Sequence, residues 1–263
     1  MVKEGAYIFQ ASGCVGCHTA EKPKGEPLAG GRRLKTPFGV FVTPNISPDR
    51  EHGVGAWSEA DFFRAMREGR SPEGAYYFPA FPFASYAAMT DADLSALWAY
   101  LQAQPPRARR NQDHELDFPF NLRPLLVFWR FLYFDDTPFA SDPAKSEEWN
   151  RGAYLVRVMG HCGECHTPRT LMGGMRLDRE FAGSKSGPKG DRIPNITTHA
   201  VKGIGVWSKE EIVSFLAEGY LPDGDFVGGA MTEVVENSTG RMTERDLSAI
   251  AEFLLATPPH AGP

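Results

Sequence analysis

Two five-residue segments contain all the cysteines of this sequence. The first is CVGCH, Cys14 to His18, and the second is CGECH, Cys162 to His166. Cys-x-x-Cys-His is the pattern at which c-type haem is attached. The spacing has a chemical reason, because the two thiols add to the two vinyl groups of one porphyrin and the next residue offers its imidazole to the iron. We therefore expect two covalently attached haem c groups, held by these residues: Cys14, Cys17, His18, Cys162, Cys165 and His166.

Two Cys-x-x-Cys pairs are also compatible with other chemistry. A four-cysteine zinc site would use both pairs, a thioredoxin-like redox site would use one pair, and two disulfides would need an oxidising compartment. None of these sites requires a histidine directly after each pair. A disulfide framework also leaves the internal repeat of this sequence unexplained. The two motifs therefore favour haem.

The sequence repeats itself around the two motifs. Gly5-Ala6-Tyr7 precedes the first motif as Gly152-Ala153-Tyr154 precedes the second. GVGAWSEADFFRAMREG and GIGVWSKEEIVSFLAEG follow, in an alignment without gaps from Asn45 to Phe81, which pairs with Met231. The final helical segments, TDADLSALWAYL and TERDLSAIAEFL, also match. A repeat of this kind indicates two copies of one domain.

The helix starts predict a mainly α fold. An N-terminal capping pattern, Ser or Thr followed three residues later by Asp or Glu, occurs at four places: Ser58, Thr90, Ser208 and Thr243. Apolar residues follow at helical spacing, and no segment alternates as a strand would. We expect two small helical domains, residues 1–104 and 149–263, in which each haem supplies an apolar centre.

We expect residues 105–148, which are rich in proline and aromatic residues, to form a connector between the two domains. Its RARR segment, residues 107–110, predicts a solvated turn, with a docking patch as the alternative. LLVFWRFLYF, Leu125 to Phe134, contains Arg130 and is shorter than the roughly 18 apolar residues of a membrane span. We interpret it as a buried or interfacial helix packed across both domains. The alternative is a contact with a membrane or a partner.

The net charge restricts the possible functions, and the residues after Met1 bear on the cellular compartment. The net charge is −5 and the pI is near 5.8, which argues against nucleic-acid binding. No signal peptide is recognisable at Met1, so the chain is either cytoplasmic or has lost its leader. Because bacteria attach haem to this motif outside the cytoplasmic membrane, we expect a periplasmic protein. Any association with the outer face of that membrane would be peripheral or through a partner.

Several segments together resemble one family. LAGGRRLKTPFG, FPFNLRPL, SEEWNRGAYLV and GHCGECHTPR are similar to segments of class I c-type cytochromes, in particular the cytochrome c subunit of membrane-bound alcohol, aldehyde and gluconate dehydrogenases. The resemblance covers nearly the whole chain and implies two tandem class I cytochrome c domains. It also implies electron transfer from a dehydrogenase catalytic subunit, of molybdenum, flavin or quinoprotein type, through both haems to quinone or a terminal oxidase. Those subunits carry three haem domains, whereas this sequence has two motifs.

The resemblance implies a distal iron ligand for each haem. In the second copy this ligand is Met231, in the loop segment GGAMTEVV. In the first copy the repeat places Phe81 there, and a phenyl ring has no lone pair to donate. Met89, directly before Thr90, is the expected substitute. Met66, a histidine, water and an open site are the alternatives, and Met242 precedes its own helix cap as Met89 does.

Other residues have both a haem-binding and a structural interpretation. Two tryptophans, two asparagines and two arginines would either contact the haem propionates or serve packing, turns and solvation: Trp57, Trp207, Asn45, Asn195, Arg33 and Arg169. Pro168 is expected to help orient the carbonyl that holds His166. His52 and His114 are expected to be exposed.

Three functions remain compatible with the sequence. An electron carrier needs two six-coordinate haems. A haem enzyme of peroxidase or thiosulfate-oxidising type needs one open haem, and the phenyl ring of Phe81 keeps this alternative in view. A gas sensor would use the same vacancy. We favour the carrier, because the resemblance is to carriers and no further cysteine is present as an unusual ligand.

Overall fold

The computed structural model describes residues 1–21, 25–185, 187 and 192–262. The chain divides into two compact units, Met1–Pro138 and Phe139–Pro263, called unit 1 and unit 2 below. Each unit is mainly helical, as the sequence predicts. Within the described ranges, no helix has the length and apolar character needed to cross a membrane.

Unit 1 is organised around the crossing of its first and fifth helices. In chain order its helices are α1 (Val2–Ala11), α2 (Cys14–Cys17), α3 (Glu59–Glu68), α4 (Phe83–Tyr86), α5 (Asp91–Gln102) and α6 (Leu125–Tyr133). α1 and α5 approach closely because Gly5 has no side chain. A Cβ there would lie 1.9 Å from the carbonyl oxygen of Ala96. Beside the crossing, the ring centroids of Phe9 and Tyr100 are 5.1 Å apart.

Unit 2 repeats this crossing. Its helices are α7 (Glu147–Tyr154), α8 (Gly163–His166), α9 (Lys209–Glu218), α10 (Ala230–Asn237) and α11 (Glu244–Leu255), with a π-helical turn at Leu155–Met159 and 3-10 turns at Leu177–Arg179 and Thr239–Arg241. α7 crosses α11 at Gly152, where a Cβ would lie 1.9 Å from the carbonyl oxygen of Ala249. A glycine thus faces an alanine carbonyl in both units.

Local capping begins the helices that the sequence predicts. A Ser or Thr hydroxyl accepts the backbone N–H three residues on at these N-caps: Ser58 of α3, Thr90 of α5, Ser208 of α9 and Thr243 of α11. At α3 and α9 the acidic residue returns the bond and completes a capping box. Both helices end at a glycine in the left-handed region, Gly69 with φ 57° and Gly219 with φ 77°, where the absent Cβ avoids strain.

Unit 1 also contains a small antiparallel sheet. Its strands, in the order β1-β2-β3, are β1 (Arg33–Thr36), β2 (Gly39–Val42) and β3 (Glu115–Leu116). The sequence shows no strand alternation at these residues, so it does not predict this sheet. Strands of four, four and two residues are too short for an alternation of apolar and polar residues to be recognised.

The segment expected to connect two domains is divided between the units. Residues 105–138 belong to unit 1 and residues 139–148 to unit 2. β3 extends the sheet of unit 1, and Leu126 of α6 joins Phe41 and Phe78 in a core cluster. The ring of Trp129 lies 6.1 Å from that of Phe83. The aromatic stretch therefore supplies part of the core of unit 1.

Candidate haem-binding sites

The first haem motif comprises the short helix α2 and the residue after it. His18 directs its Nδ1 to the carbonyl oxygen of Pro44 at 2.8 Å. Since a carbonyl oxygen only accepts, Nδ1 carries the hydrogen and Nε2 keeps its lone pair for a metal. Burial lowers the pKa of His18 below its usual value, which favours the neutral imidazole that binds iron.

The second motif has the same geometry. His166 directs its Nδ1 to the carbonyl oxygen of Pro194 at 2.8 Å, and burial lowers its pKa. The orienting carbonyl comes from a segment 28 residues after the histidine, and the expected help of Pro168 in orienting it stays a prediction. Sequence reasoning missed both orienting prolines. Their signal was present, since each directly precedes a repeated pair, Asn45-Ile46 or Asn195-Ile196.

The cysteine side chains are free thiols in the structure. The four cysteines, all within the described residues, form no disulfide. Burial raises the pKa of Cys14 and of Cys162 to about 12, so both are neutral thiols at physiological pH. Cys17 and Cys165 are exposed. Each pair can add to the two vinyl groups of one porphyrin and form two thioether bonds.

A small cleft lies beside the first motif. It is lined mainly by apolar side chains, among them Phe9, Val15, Leu28 and Tyr100. Val15, which is located between the two cysteines of the motif, is one of its lining residues. The thiol pair and the oriented imidazole of His18 fit the attachment of a haem.

An arginine holds the third residue of each motif. Arg32 donates from Nη1 to the carbonyl oxygen of Gly16 in the first motif. Arg169 donates from Nη2 to the carbonyl oxygen of Glu164 in the second, at 2.7 Å, and forms an ion pair with the Glu164 carboxylate. These contacts fix the backbone between the two cysteines. The guanidinium of Arg169 is therefore engaged by its own motif.

Arg33, the arginine singled out in the first copy, has a structural role. It lies on β1 and forms an ion pair with Glu115 on β3. Adjacent side chains of an extended segment point to opposite sides, so Arg32 and not its neighbour reaches the motif. Sequence reasoning missed Arg32 because nothing local distinguishes two consecutive arginines.

The two asparagines hold turns, which is the structural interpretation of these residues. Asn45 donates from Nδ2 to the carbonyl oxygen of Arg107, and Asn195 donates to that of His260. Each side-chain oxygen also accepts the backbone N–H two residues on. The RARR segment is therefore anchored to unit 1 at residue 107, whereas the sequence predicts a solvated turn.

The tryptophans and the first-copy histidines lie in packed surroundings. Trp57 and Trp207 are partly buried, and the ring of Trp207 contacts that of Phe215 at 5.6 Å. His52 is also partly buried. His114 packs its ring against the unit 1 core cluster and accepts a hydrogen bond from a backbone N–H of β2. The expectation that both histidines are exposed is wrong.

Met231 begins a helix where the sequence predicts a loop. It is the second residue of α10 and is partly buried. α10 starts directly after Gly229, whose φ is 65°. The role of Met231 as an iron ligand stays a prediction.

Phe81 belongs to an aromatic cluster in unit 1. Its ring centroid lies 5.8 Å from that of Tyr77, 5.9 Å from that of Tyr86 and 6.4 Å from that of Phe83. The position that the repeat pairs with Met231 is therefore occupied by hydrocarbon and surrounded by rings.

Met89 is held at the start of α5. Its side chain is 1% exposed, and its carbonyl oxygen accepts a hydrogen bond from Arg67 at 2.7 Å. Met242, its counterpart in unit 2, is only partly buried, so the two residues before the caps are not equivalent. Met66 on α3 is also buried. The ligand role of Met89 likewise stays a prediction.

Comparisons with known proteins agree with this geometry. A family model described as Cytochrome c matches residues 2–105. A protein of Cereibacter sphaeroides named Diheme cytochrome c-type is 43% identical over 257 residues, which are 97% of this chain and 85% of that protein. The chain belongs to the dihaem c-type cytochromes.

Other relatives of this dihaem cytochrome are dehydrogenase subunits. A nicotinate dehydrogenase subunit of Pseudomonas putida is 38% identical over 97% of the chain, and the gluconate 2-dehydrogenase cytochrome c subunit of Pantoea cypripedii is 37% identical over 97% of it. The chain spans only 21% and 59% of these relatives. Their names confirm the resemblance to the cytochrome c subunits of dehydrogenases.

The dihaem cytochrome carries two covalently bound haem c groups and transfers electrons. Each haem, when bound, supplies reversible one-electron chemistry at its iron. The chain contributes the attachment and the orientation. The cysteine pairs would fix the porphyrin, His18 and His166 would present Nε2 to the iron, and Arg32 and Arg169 hold the motif backbone in place.

Proposed function

We propose that this dihaem cytochrome is the electron-transfer subunit of a periplasmic dehydrogenase complex. Electrons pass from a catalytic subunit through both haems towards quinone or a terminal oxidase. The observation that carries this proposal is the duplicated histidine geometry, in which His18 and His166 each face a proline carbonyl at 2.8 Å. Each unit thus offers an iron the same proximal environment, as an electron carrier with two haems requires.

The proposed partner is a dehydrogenase catalytic subunit of molybdenum, flavin or quinoprotein type. The names of the relatives support this partner. The periplasmic location is supported by the attachment chemistry, since bacteria join haem to Cys-x-x-Cys-His outside the cytoplasmic membrane. We place the protein at the outer face of that membrane only peripherally or through the partner.

We propose Met89 and Met231 as the sixth ligands of the two irons. Burial of Met89 at a fixed helix start supports the first assignment, because a thioether held in the interior can stay on an iron through redox cycling. The repeat supports the second assignment, since Met231 occupies the distal position of its copy. Thioether ligation raises the reduction potential of a c-type haem.

Phe81 favours a second candidate function. If no thioether replaces the ligand missing at this position, the first haem has an open site. The protein would then be a haem enzyme of peroxidase or thiosulfate-oxidising type. The aromatic surroundings of Phe81 are compatible with a dry, open site of this kind.

Carbon monoxide binding separates the two functions, because it reports an open or weakly held sixth position on reduced iron. The fully reduced wild-type holoprotein is expected to bind no carbon monoxide. Met89→Ala is expected to bind it at one haem, measured by the change in the Soret band. Met66→Ala removes another buried methionine of unit 1 and serves as the matched control, which is expected to bind none.

Other results would change the assignment. Binding by the wild type at one haem would place the enzyme first and remove Met89 as a ligand. Binding by Met66→Ala alone would transfer the ligand role to Met66.

A further inference from the structure

The outer face of α6 is an apolar surface on unit 1. Among the described residues, 8 of the 18 large hydrophobic side chains that are exposed lie between residues 118 and 132. Five lie on α6 and three in the segment directly before it, and together they are called the α6 face: Phe118, Phe120, Leu122, Leu125, Val127, Phe128, Phe131 and Leu132. Phe131 is 88% exposed and Phe128 is 63% exposed. Single exposed apolar residues are ordinary, but a contiguous group of this kind indicates an interaction site.

The inner side of α6 is firmly packed, so the outer face is presented in a fixed orientation. Trp129 and Leu126 are buried. Arg130 lies over the rings of Phe134 and Tyr76, with 4.2 Å and 4.6 Å from its Cζ to the ring centroids, and donates to a carbonyl oxygen at the end of α3 at 2.6 Å. The cationic residue of the helix is thus used to attach it to unit 1.

The inner side of α6 packs towards Phe81 in unit 1. Trp129, on the inner side of the helix, is 6.1 Å from Phe83, and Phe83 is 6.4 Å from Phe81 between ring centroids. Phe81 occupies the position that the repeat pairs with Met231. Two ring contacts therefore connect the helix to the distal position of the first copy.

The charges around the α6 face distinguish among its possible occupants. Exposed carboxylates flank it at both ends, Asp117 on one side and Asp135 and Asp136 on the other. The arginines of this stretch are engaged by unit 1, since Arg123 donates to the carbonyl oxygen of Tyr76 and Arg130 is packed inward. Helices that lie on anionic membranes carry exposed Lys and Arg on the polar side. Around this face, three exposed carboxylates outnumber the one exposed arginine, Arg123, so its surroundings are acidic.

The same carboxylates argue against a second copy of the chain. A symmetric pair buries the same patch on both protomers. An antiparallel pairing of two α6 helices would bring Asp117 of one copy near Asp135 and Asp136 of the other. A heterologous protein with an apolar groove and a basic rim satisfies both the hydrophobic surface and its acidic ends.

We propose that the α6 face is the docking surface for the dehydrogenase catalytic subunit, which receives it in an apolar groove with a basic rim. This inference rests on the proposed function and adds to it the place of contact. The docked subunit delivers its electron to the first haem, because α6 belongs to unit 1, which contains the first haem motif.

The test compares two variants of the holoprotein. Phe128→Ser, Phe131→Ser and Leu132→Ser together make the α6 face polar. Leu171→Ser, Val201→Ser and Val206→Ser, at unit 2 side chains that are 98%, 87% and 72% exposed, form the matched control. The probe is a dehydrogenase purified from the cells that naturally contain this cytochrome. The purification follows the reduction of the wild-type cytochrome in the presence of the dehydrogenase's substrate. The measurement is the second-order rate of haem reduction by stopped flow.

The α6 variant is expected to be reduced at least about tenfold more slowly, because a few buried aromatic side chains account for most of the binding energy of an interface. Its reduction by dithionite and its circular dichroism should equal those of the wild type. The control should be reduced at the wild-type rate. Asp135→Asn with Asp136→Asn should weaken the dependence of the rate on ionic strength.

Several outcomes would overturn the proposal. Equal rates for the α6 variant and the wild type would place docking elsewhere and leave the proposed function intact. The membrane would be the occupant if the wild type, but not the variant, sediments with phosphatidylglycerol vesicles. If the wild type is a dimer and the α6 variant is a monomer, the occupant of the α6 face is a second copy of the chain. If no substrate-fed dehydrogenase reduces the wild type, the proposed function fails and this inference fails with it.

Discussion

A single hydrogen bond sets the chemistry of each proximal histidine. Nδ1 of His18 and of His166 donates to a proline carbonyl at 2.8 Å, which fixes the tautomer and the ring plane. Such a bond also raises the basicity of the nitrogen that binds the metal. Proline supplies a carbonyl but no N–H, so the oxygen of Pro44 or Pro194 is offered from a backbone with few alternative conformations. The reduction potentials of both haems therefore share this contribution.

His114 makes the stability of unit 1 depend on pH. Burial lowers its pKa below the ordinary value of 6.5, and its Nδ1 accepts the N–H of Val42 at 3.2 Å, which requires a neutral ring. As the pH falls below 6.5, the unfolded chain binds the proton more readily than the folded one, so stability decreases. We expect the melting temperature of the holoprotein to fall between pH 7 and pH 5.5.

His114→Asn is expected to reduce this pH dependence, because an amide oxygen can accept the same N–H without titrating. The measurement is the difference between the melting temperatures of the variant and the wild type at each pH. His260→Asn, in unit 2, serves as the control. An unchanged pH profile in His114→Asn would show that other groups determine the acid sensitivity.

At the scale of elements, each unit depends on one helix crossing. The crossings of α1 with α5 and of α7 with α11 both rely on a glycine. A Cβ built at that glycine would lie 1.9 Å from the carbonyl oxygen of an alanine on the other helix. The crossing positions the residues that lead into each haem motif, since α1 ends at Ala11 and the first motif begins at Cys14. The approach of two helices thus contributes to the site.

Replacing the crossing glycine should destabilise the protein although the helix propensity improves. Alanine is more favourable than glycine in a helix by about 1 kcal/mol, but at Gly5 or Gly152 its methyl group would collide with backbone. We expect Gly5→Ala and Gly152→Ala each to lower the free energy of unfolding by about 1–3 kcal/mol, the usual cost of overpacking. Urea unfolding of the holoprotein measures it.

Gly228→Ala is the matched control, because a Cβ there meets nothing within 4 Å. Its free energy of unfolding should stay within about 0.5 kcal/mol of the wild type, as for most surface changes. If Gly152→Ala is as stable as this control, the crossing can open without cost and the close approach is not required.

At the scale of the whole molecule, the chain consists of two units of one design, each with its own crossing and motif. Cys14→Ala with Cys17→Ala is expected to yield a protein with one haem, attached to unit 2. Cys162→Ala with Cys165→Ala should yield the converse, with the haem on unit 1. The mass of the denatured protein counts the attached haems, and tryptic peptides locate them.

This pair of variants also tests whether the two sites are independent. Because each motif uses an imidazole and a carbonyl of its own unit, the remaining haem should keep the reduced visible spectrum of a six-coordinate c-type haem. Loss of both haems from either variant would contradict this independence.

Local patterns in the sequence predict much of the fold. The capping residues at Ser58 and Ser208 predict helix starts because their hydrogen bonds span three residues. The sheet of unit 1 was not predictable in this way, since β3 reaches β2 from more than 70 residues along the chain. The division of the connector likewise depends on side chains such as Leu126 meeting Phe41 in the folded core.

The sequence by itself determined the cofactor and its number, because thioether attachment uses five consecutive residues and needs no distant group. It also predicts His18 and His166 as the proximal ligands. It also shows the repeat, which pairs Phe81 with Met231 and so raises the question of which residue is the distal ligand of the first haem. Only the tertiary structure decided which carbonyl orients His18, which of two adjacent arginines reaches the motif, and that α6 turns an apolar face outward. Each of these depends on where the chain returns after dozens of residues, and local spacing contains no information about that return.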